Sequence, residues 1–170
     1  MSRAALRTLR SASVVPAALA LLGLTAGRAH AEDAAAPAYP AGFASFQANC
    51  AVCHGPAGAG VPSLAPPLLA YPARYAASAE GRRQLALTVL YGMIGDITVE
   101  EKHYNFQMPE FTRLDDAALA ATLNFVVFDL DHAAPGVKPL EAAELSAERA
   151  HPLDGTAVHE HRKSVATTAP

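Results

Sequence analysis

The sequence predicts an all-α fold of a few helices in one domain. Three observations lead there. Leu119, Leu123, Val126, Val127 and Leu130 recur at i, i+4, i+7, i+8 and i+11, which lines one face of a helix over 115–130. Aromatic residues make up only 6% and Trp is absent, which argues against a β sandwich. Hydrophobic residues reach 51% against 17% charged in 170 residues, enough for one packed core. Thirteen Pro and eleven Gly predict long irregular connections between the helices.

Taken in order, the chain opens on an address. Arg3, Arg7 and Arg10 precede a short apolar run over 14–24, and Ala29-His30-Ala31 follows as a small-x-small cleavage site. Residues 1–31 therefore read as a secretory signal peptide, with an apolar run too short to span a bilayer. No twin-Arg pair precedes that run, which points to export of the unfolded chain. Cleavage leaves nine Lys and Arg against sixteen Asp and Glu, a net charge of −7 where the whole chain has −3. That balance argues against a nucleic-acid binder and suits a partner with a basic patch.

Residues 32–39 are rich in Ala and Pro and read as a flexible lead-in. A helix is expected over 43–53. The stretch 55–72 holds three Gly and five Pro and must be loop. A second helix is expected over 80–91, closed by Gly92 and Gly95. Ile97-Thr98-Val99 and Tyr104-Asn105-Phe106 read as two arms of a hairpin-like loop. Asp115 is a good N-cap for the strong helix that follows, and Asp116 suits its positive start. Pro135 and Gly136 mark its far side. A short amphipathic helix is expected over 140–149, striped by Glu141, Glu144 and Glu148. From His151 the tail is polar, with no core pattern.

The chemistry lies in Cys50-Ala51-Val52-Cys53-His54, a C-x-x-C-H motif, which is the attachment signal of c-type haem. Thiols at i and i+3 of a helical turn share one side and can add to the two vinyl groups of one porphyrin, and the next residue offers its imidazole to the iron. A thioredoxin-like pair expects a βαβ context that is missing. A zinc site needs more cysteines or suitably spaced histidines. A disulfide across three residues would be strained and useless as a staple. An iron with one axial His needs a sixth ligand, for which Met93, Met108 and the remaining His are candidates. A thioether there favours ferrous iron and raises the potential.

Over residues 40–131 the sequence resembles class I cytochromes c, especially small bacterial mono-haem types and haem subunits of membrane-linked dehydrogenases. Gly42, Phe46 and Cys50 match the G-x-x-x-aromatic-x-x-x-C lead-in, and residues 49–55 match the haem box. Pro66-Pro67-Leu68 resembles the proximal proline stretch. Val89-Leu90-Tyr91-Gly92 and Ile97-Thr98-Val99 resemble the approach to the distal Met. Tyr104-Asn105-Phe106-Gln107-Met108-Pro109 and Leu114-Asp115-Asp116 resemble the Y-x-x-x-M-P and L-[ST]-D pair.

The resemblance implies three to four helices wrapped around one covalent haem c, one iron per chain, with an irregular C-terminal extension. The haem domain takes 40–133 and the extension, partly helical or disordered, 134–170. Cys50 and Cys53 form the thioethers, with His54 proximal and Met108 distal; Met93 is left as a core or lid residue. The second nitrogen of His54 should donate to a carbonyl near Pro66. The first and last helices should cross with Gly42 and Phe46 against Phe125. Tyr or Trp is usual near Phe125 and is absent here, which alters packing and not redox chemistry.

Other residues are given simpler roles. His151, His159 and His161 read as solvated tail histidines, ahead of a metal site, and His103 as a surface-loop histidine. Arg82 and Arg83 read as a solvated helix face, ahead of haem-propionate partners; Arg74, Tyr71 and Tyr75 are similar candidates for the propionates. The implied protein is exported to the periplasm and is not an enzyme. It carries one electron in a respiratory chain between a dehydrogenase donor and a cytochrome or oxidase acceptor, with peripheral contact to a membrane complex as an option. The alternatives are a permanent haem subunit of a dehydrogenase or oxidase, favoured by the extension, and a haem enzyme or gas sensor, which needs Met108 off the iron.

Overall fold

In the computed structural model, residues 36–168 are described, and the signal peptide expected at 1–31 lies outside them. The elements are α1 (Pro40–Asn49), α2 (Ala51–His54), α3 (Pro72–Ala76), α4 (Ala79–Tyr91), β1 (Ile97–Val99), β2 (Lys102–Tyr104), α5 (Asp116–Asn124), α6 (Ala142–Arg149) and α7 (Gly155–Thr168), with a π-helical segment over Phe125–Leu130 continuing α5. The all-α expectation holds, with one two-stranded hairpin among the described residues.

Helices α1 and α5 cross as expected. Gly42 faces the backbone of Ala121, so close that a Cβ there would lie 2.7 Å from the Ala121 carbonyl carbon and 2.8 Å from Phe125 Cβ. The fully buried Phe46 then meets the Phe125 ring at 5.3 Å, and Phe43 meets it edge-on at 5.5 Å. Pro40 supplies a preset φ at the start of α1 but no helix cap. The cap comes from far along the chain: Asp129 accepts from Ala38 N (2.8 Å) and Tyr39 N (2.9 Å).

Asp115 caps α5 by accepting from Ala118 N at 2.7 Å. Leu119, Leu123 and Val127 enter the main core with Leu85, Val89 and Leu90 of α4, while Val126 joins Phe46 and Phe125. The wider π turn at the end places Asp129 over the start of α1. It also brings Asp131 to Ala73 N, at 2.6 Å, in the first turn of α3. Ser78 caps α4 through Gly81 N at 3.1 Å.

The extension is more regular than its polar sequence implies. Asn124 grips its start, donating to Leu140 O (2.9 Å) and accepting from Leu140 N (2.7 Å). Helix α6 buries Leu145 completely, and α7 does the same with Val158. Arg82 is not on a solvated face, while Arg83 is exposed as expected but paired. The Arg82 fork donates to both Glu144 oxygens at 2.7 Å and to the carbonyls of Lys138 and Pro139, and Arg83 pairs with Glu148 at 3.1 Å. The reason is geometric: α6 packs across the outer side of α4 and brings carboxylates to both.

These pairs give the extension a pH dependence. Hydrogen bonds from Arg82 hold the Glu144 carboxyl below its ordinary 4.5. A lowered folded value stabilises the fold above the ordinary pKa, and the gain is lost as pH falls through the lowered one. Glu144→Gln keeps an acceptor for Glu141 N, which Glu144 Oε2 now serves at 2.8 Å. The wild type should therefore melt higher than Glu144→Gln above the ordinary carboxyl pKa, and the gap should close as pH falls through the lowered one. Because Glu144 is 37% exposed, the gap should be modest.

Candidate functional site

Helix α1 ends at Asn49, and the chain re-forms a single turn, α2, around the two cysteines. Cys53 N and His54 N both donate to Cys50 O, at 3.1 and 3.0 Å, which sets the thiols one helical turn apart. Both are free and half-buried. Burial pushes the Cys50 thiol up from 9.0 to about 11, against the opposing pull of Arg113.

His54 is buried and its Nδ1 lies 2.9 Å from Pro66 O. A carbonyl only accepts, so Nδ1 carries the proton and Nε2 keeps a free lone pair. Burial also pulls the imidazole pKa below its usual 6.5, against the hydrogen bond to Pro66, which favours the neutral, ligating form. The loop makes this contact possible. Gly60 N donates to His54 O at 2.8 Å, Leu68 N to Gly58 O at 2.8 Å, and Val61 bridges Ala65. At Gly60, with φ of 76°, a Cβ would strike Pro67 N and Ala65 O, so only glycine folds the chain back tightly enough to bring Pro66 to the ring.

His54 lines a cleft of two lobes. Cys53, His54, Leu68, Pro72, Leu85, Thr88, Met108 and Pro109 border both lobes. Cys50 joins from the start of α2, Leu85 and Thr88 from α4, and Tyr71 and Tyr75 from the region of α3. The lining is mainly apolar.

Met108 reaches the cleft through a main-chain device. Met93 N donates to Met108 O at 3.1 Å and Met108 N to Met93 O at 3.0 Å. Such a reciprocal pair puts both side chains on one side of the bridge. Both methionines line the lobe that Tyr71 and Tyr75 border, and of the two Met108 alone borders both lobes. Gly92, φ 69°, permits the pairing, because a Cβ there would meet the carbonyl carbon of Pro109 at 2.9 Å.

The structure thus brings together Cys50, Cys53, His54 and Met108, the residues selected from sequence. Tyr71 and Tyr75 lie at the cleft; Arg74 does not, and sits over the Tyr71 ring at 5.9 Å. His103 is on the surface as expected, 74% exposed, beside Thr98 and Asp96. His159 and His161 are not solvated. His159 donates through Nε2 to Asp96 O at 2.9 Å, and His161 through Nδ1 to Gln84 Oε1 at 2.6 Å. Among the described residues no group of His, Cys, Asp and Glu could hold a metal by itself. Sequence reasoning misses Gln84, Thr88 and Arg162 as lining residues. Gln84 and Thr88 are spaced i, i+4 on a helix, a signal that could pair them; Arg162, in a polar tail, carries none.

The chain matches the cytochrome c family over residues 39–127. It is similar to cytochrome c-552 of Thermus thermophilus, 37% identical over 124 residues, covering 72% of this chain and 95% of that protein. A second cytochrome c-552, from a specific strain of Thermus thermophilus, is also 37% identical over 124 residues, with 84% of its length covered.

Proposed function

The chain belongs to the cytochrome c family, and on that footing we propose that it is an exported one-electron carrier whose haem is bound by Cys50 and Cys53 and ligated by His54 and Met108. It is an electron-transfer haem protein of class I, and its cofactor is covalently bound haem c with iron. When bound, the haem supplies the redox chemistry: one electron held on the metal.

The residues fit the group. Two thiols one turn apart offer two thioether bonds, a neutral imidazole offers Nε2, and a thioether borders the same apolar cleft. The observation that carries the ligation reading is the Pro66 hydrogen bond. It fixes the His54 tautomer and turns the lone pair away from the loop. Leu68, Leu85 and Pro109 line the cleft and would keep water from the iron, and Met108 would take the position a substrate needs. That supports a carrier over a haem enzyme or gas sensor.

The exposed apolar side chains Val52 (81%) and Phe106 (60%), each bordering the cleft, offer apolar surface for brief docking with a dehydrogenase donor and a cytochrome or oxidase acceptor. The extension is the feature that raises a fixed-subunit reading. Its apolar residues Leu145 and Val158 are buried within the chain itself, which supports a free carrier. Periplasmic location rests on the signal read over 1–31. Among the described residues no helix is long and apolar enough to cross a membrane.

The test is a pyridine haemochrome assay with a redox titration on mature protein from a host able to attach haem. One haem per chain, a reversible one-electron wave and a far-red ferric band are the expected results. Bare thiols by mass spectrometry would overturn the reading, and rapid carbon monoxide binding would remove Met108 as ligand.

A further inference from the structure

We propose that Arg162, on the C-terminal helix α7, anchors a haem propionate and so makes the extension part of the haem site. The inference rests on the haem reading above and adds a residue to it. Haem carries two propionate carboxylates on one edge. An anion beside apolar walls is costly unless a cation or strong donors meet it. The cleft is lined by apolar side chains and a few neutral polar ones, and among the described residues Arg162 is the one Lys or Arg that borders it.

Its surroundings leave the guanidinium available. Every other basic side chain of α7 has a carboxylate near it: His159 and Lys163 have Glu160, at 3.9 and 2.8 Å, and His161 has Glu80, at 3.6 Å. Arg162 is half-buried and has no such partner among the described residues. Arg82 and Arg83, candidates for this role by sequence, are engaged elsewhere, with Glu144 and Glu148.

The helix is also held where this task needs it. Ile94 N donates to Gly155 O at 2.9 Å, and His159 donates to Asp96 O, which fastens α7 to the segment that follows Met93. His161 donates to Gln84, a lining residue of α4. A guanidinium carried on so fixed a helix presents a two-pronged donor that matches a carboxylate. Its charge stabilises ferrous over ferric iron, because the oxidised centre carries one more positive charge.

The experiment compares wild type, Arg162→Gln and Arg162→Lys as holoproteins, by midpoint potential and by the propionate bending bands of the resonance Raman spectrum. Arg162→Gln should lower the midpoint and shift the bands. Arg162→Lys keeps the charge, so it should retain most of the potential while the bands still shift, because the fork is lost. Lys also guards against a fold defect in the Gln variant. Unchanged bands in either variant, or an unchanged midpoint in Arg162→Gln, would overturn the proposal. A pyridine haemochrome assay on the same samples separates the two readings: absence of haem from wild type sinks the haem assignment, whereas full haem with unmoved bands sinks the propionate anchor alone.

Discussion

Replacing Met108 by Ala is expected to lower the midpoint potential by roughly 0.2 V, a substantial part of the about 0.8 V that axial ligands span. The thioether is a weak donor that favours ferrous iron; water or an open position in its place does not. The far-red ferric band should vanish and carbon monoxide should bind rapidly. The fold should survive, because the bridge to Met93 uses only the backbone N–H and C=O of residue 108, which Ala retains. Met93→Leu is the control. Met93 borders only the lobe lined by Tyr71 and Tyr75, not the one that Cys50 joins, so the band and the midpoint should stay near wild type. A spectrum unchanged in Met108→Ala and altered in Met93→Leu would exchange their roles.

Gly42→Ala should be the most damaging of the conservative substitutions. In an open helix this change gains about 1 kcal/mol from propensity. Here the new methyl meets the Ala121 carbonyl and Phe125 Cβ at distances no real Cβ tolerates, and the obstacle is mostly backbone, which cannot rotate away. Separating α1 from α5 would also open the contact between Phe46 and Phe125. Overpacking of this kind costs about 3 kcal/mol, enough to lower Tm by roughly 10 °C in a domain of this size. Thermal melts of the holoprotein by circular dichroism check it, and a variant that melts with wild type would mean that the crossing is looser than described.

The parts legible in the sequence are those where one residue type has one use. The C-x-x-C-H run, Asp115 as a cap and the apolar face of α5 are of that kind. The hairpin has its first arm, Ile97–Val99, as expected, but its second begins two residues early. Its second strand is Lys102–Tyr104, because Glu100 and Glu101 both adopt positive φ (50° and 63°) and make a two-residue turn without the Asn-Gly signal such turns usually show. Helix α3 is hidden because Pro72, a loop signal by composition, is also a good first helical residue. Helix α7 is hidden for a different reason. It docks through His159, His161 and the carbonyls of Gly155 and Val158, with few apolar side chains, so no hydrophobic stripe announces it. The carboxylate partners of Arg82 and Arg83 lie more than sixty residues away, beyond any local pattern.

The pairing of Met93 with Met108 carries a consequence for how this protein can vary. The sulfur's station is set by two main-chain bonds, which no exchange of side chains can delete, short of proline at either end. The fourteen residues between them form a closed excursion whose base is tied to α7 and the core through Ile94, Asp96, Ile97, Val99 and Tyr104, which leaves its exposed turn at Glu100 and Glu101 as the part free to change. Relatives that meet different redox partners can therefore differ in that turn first.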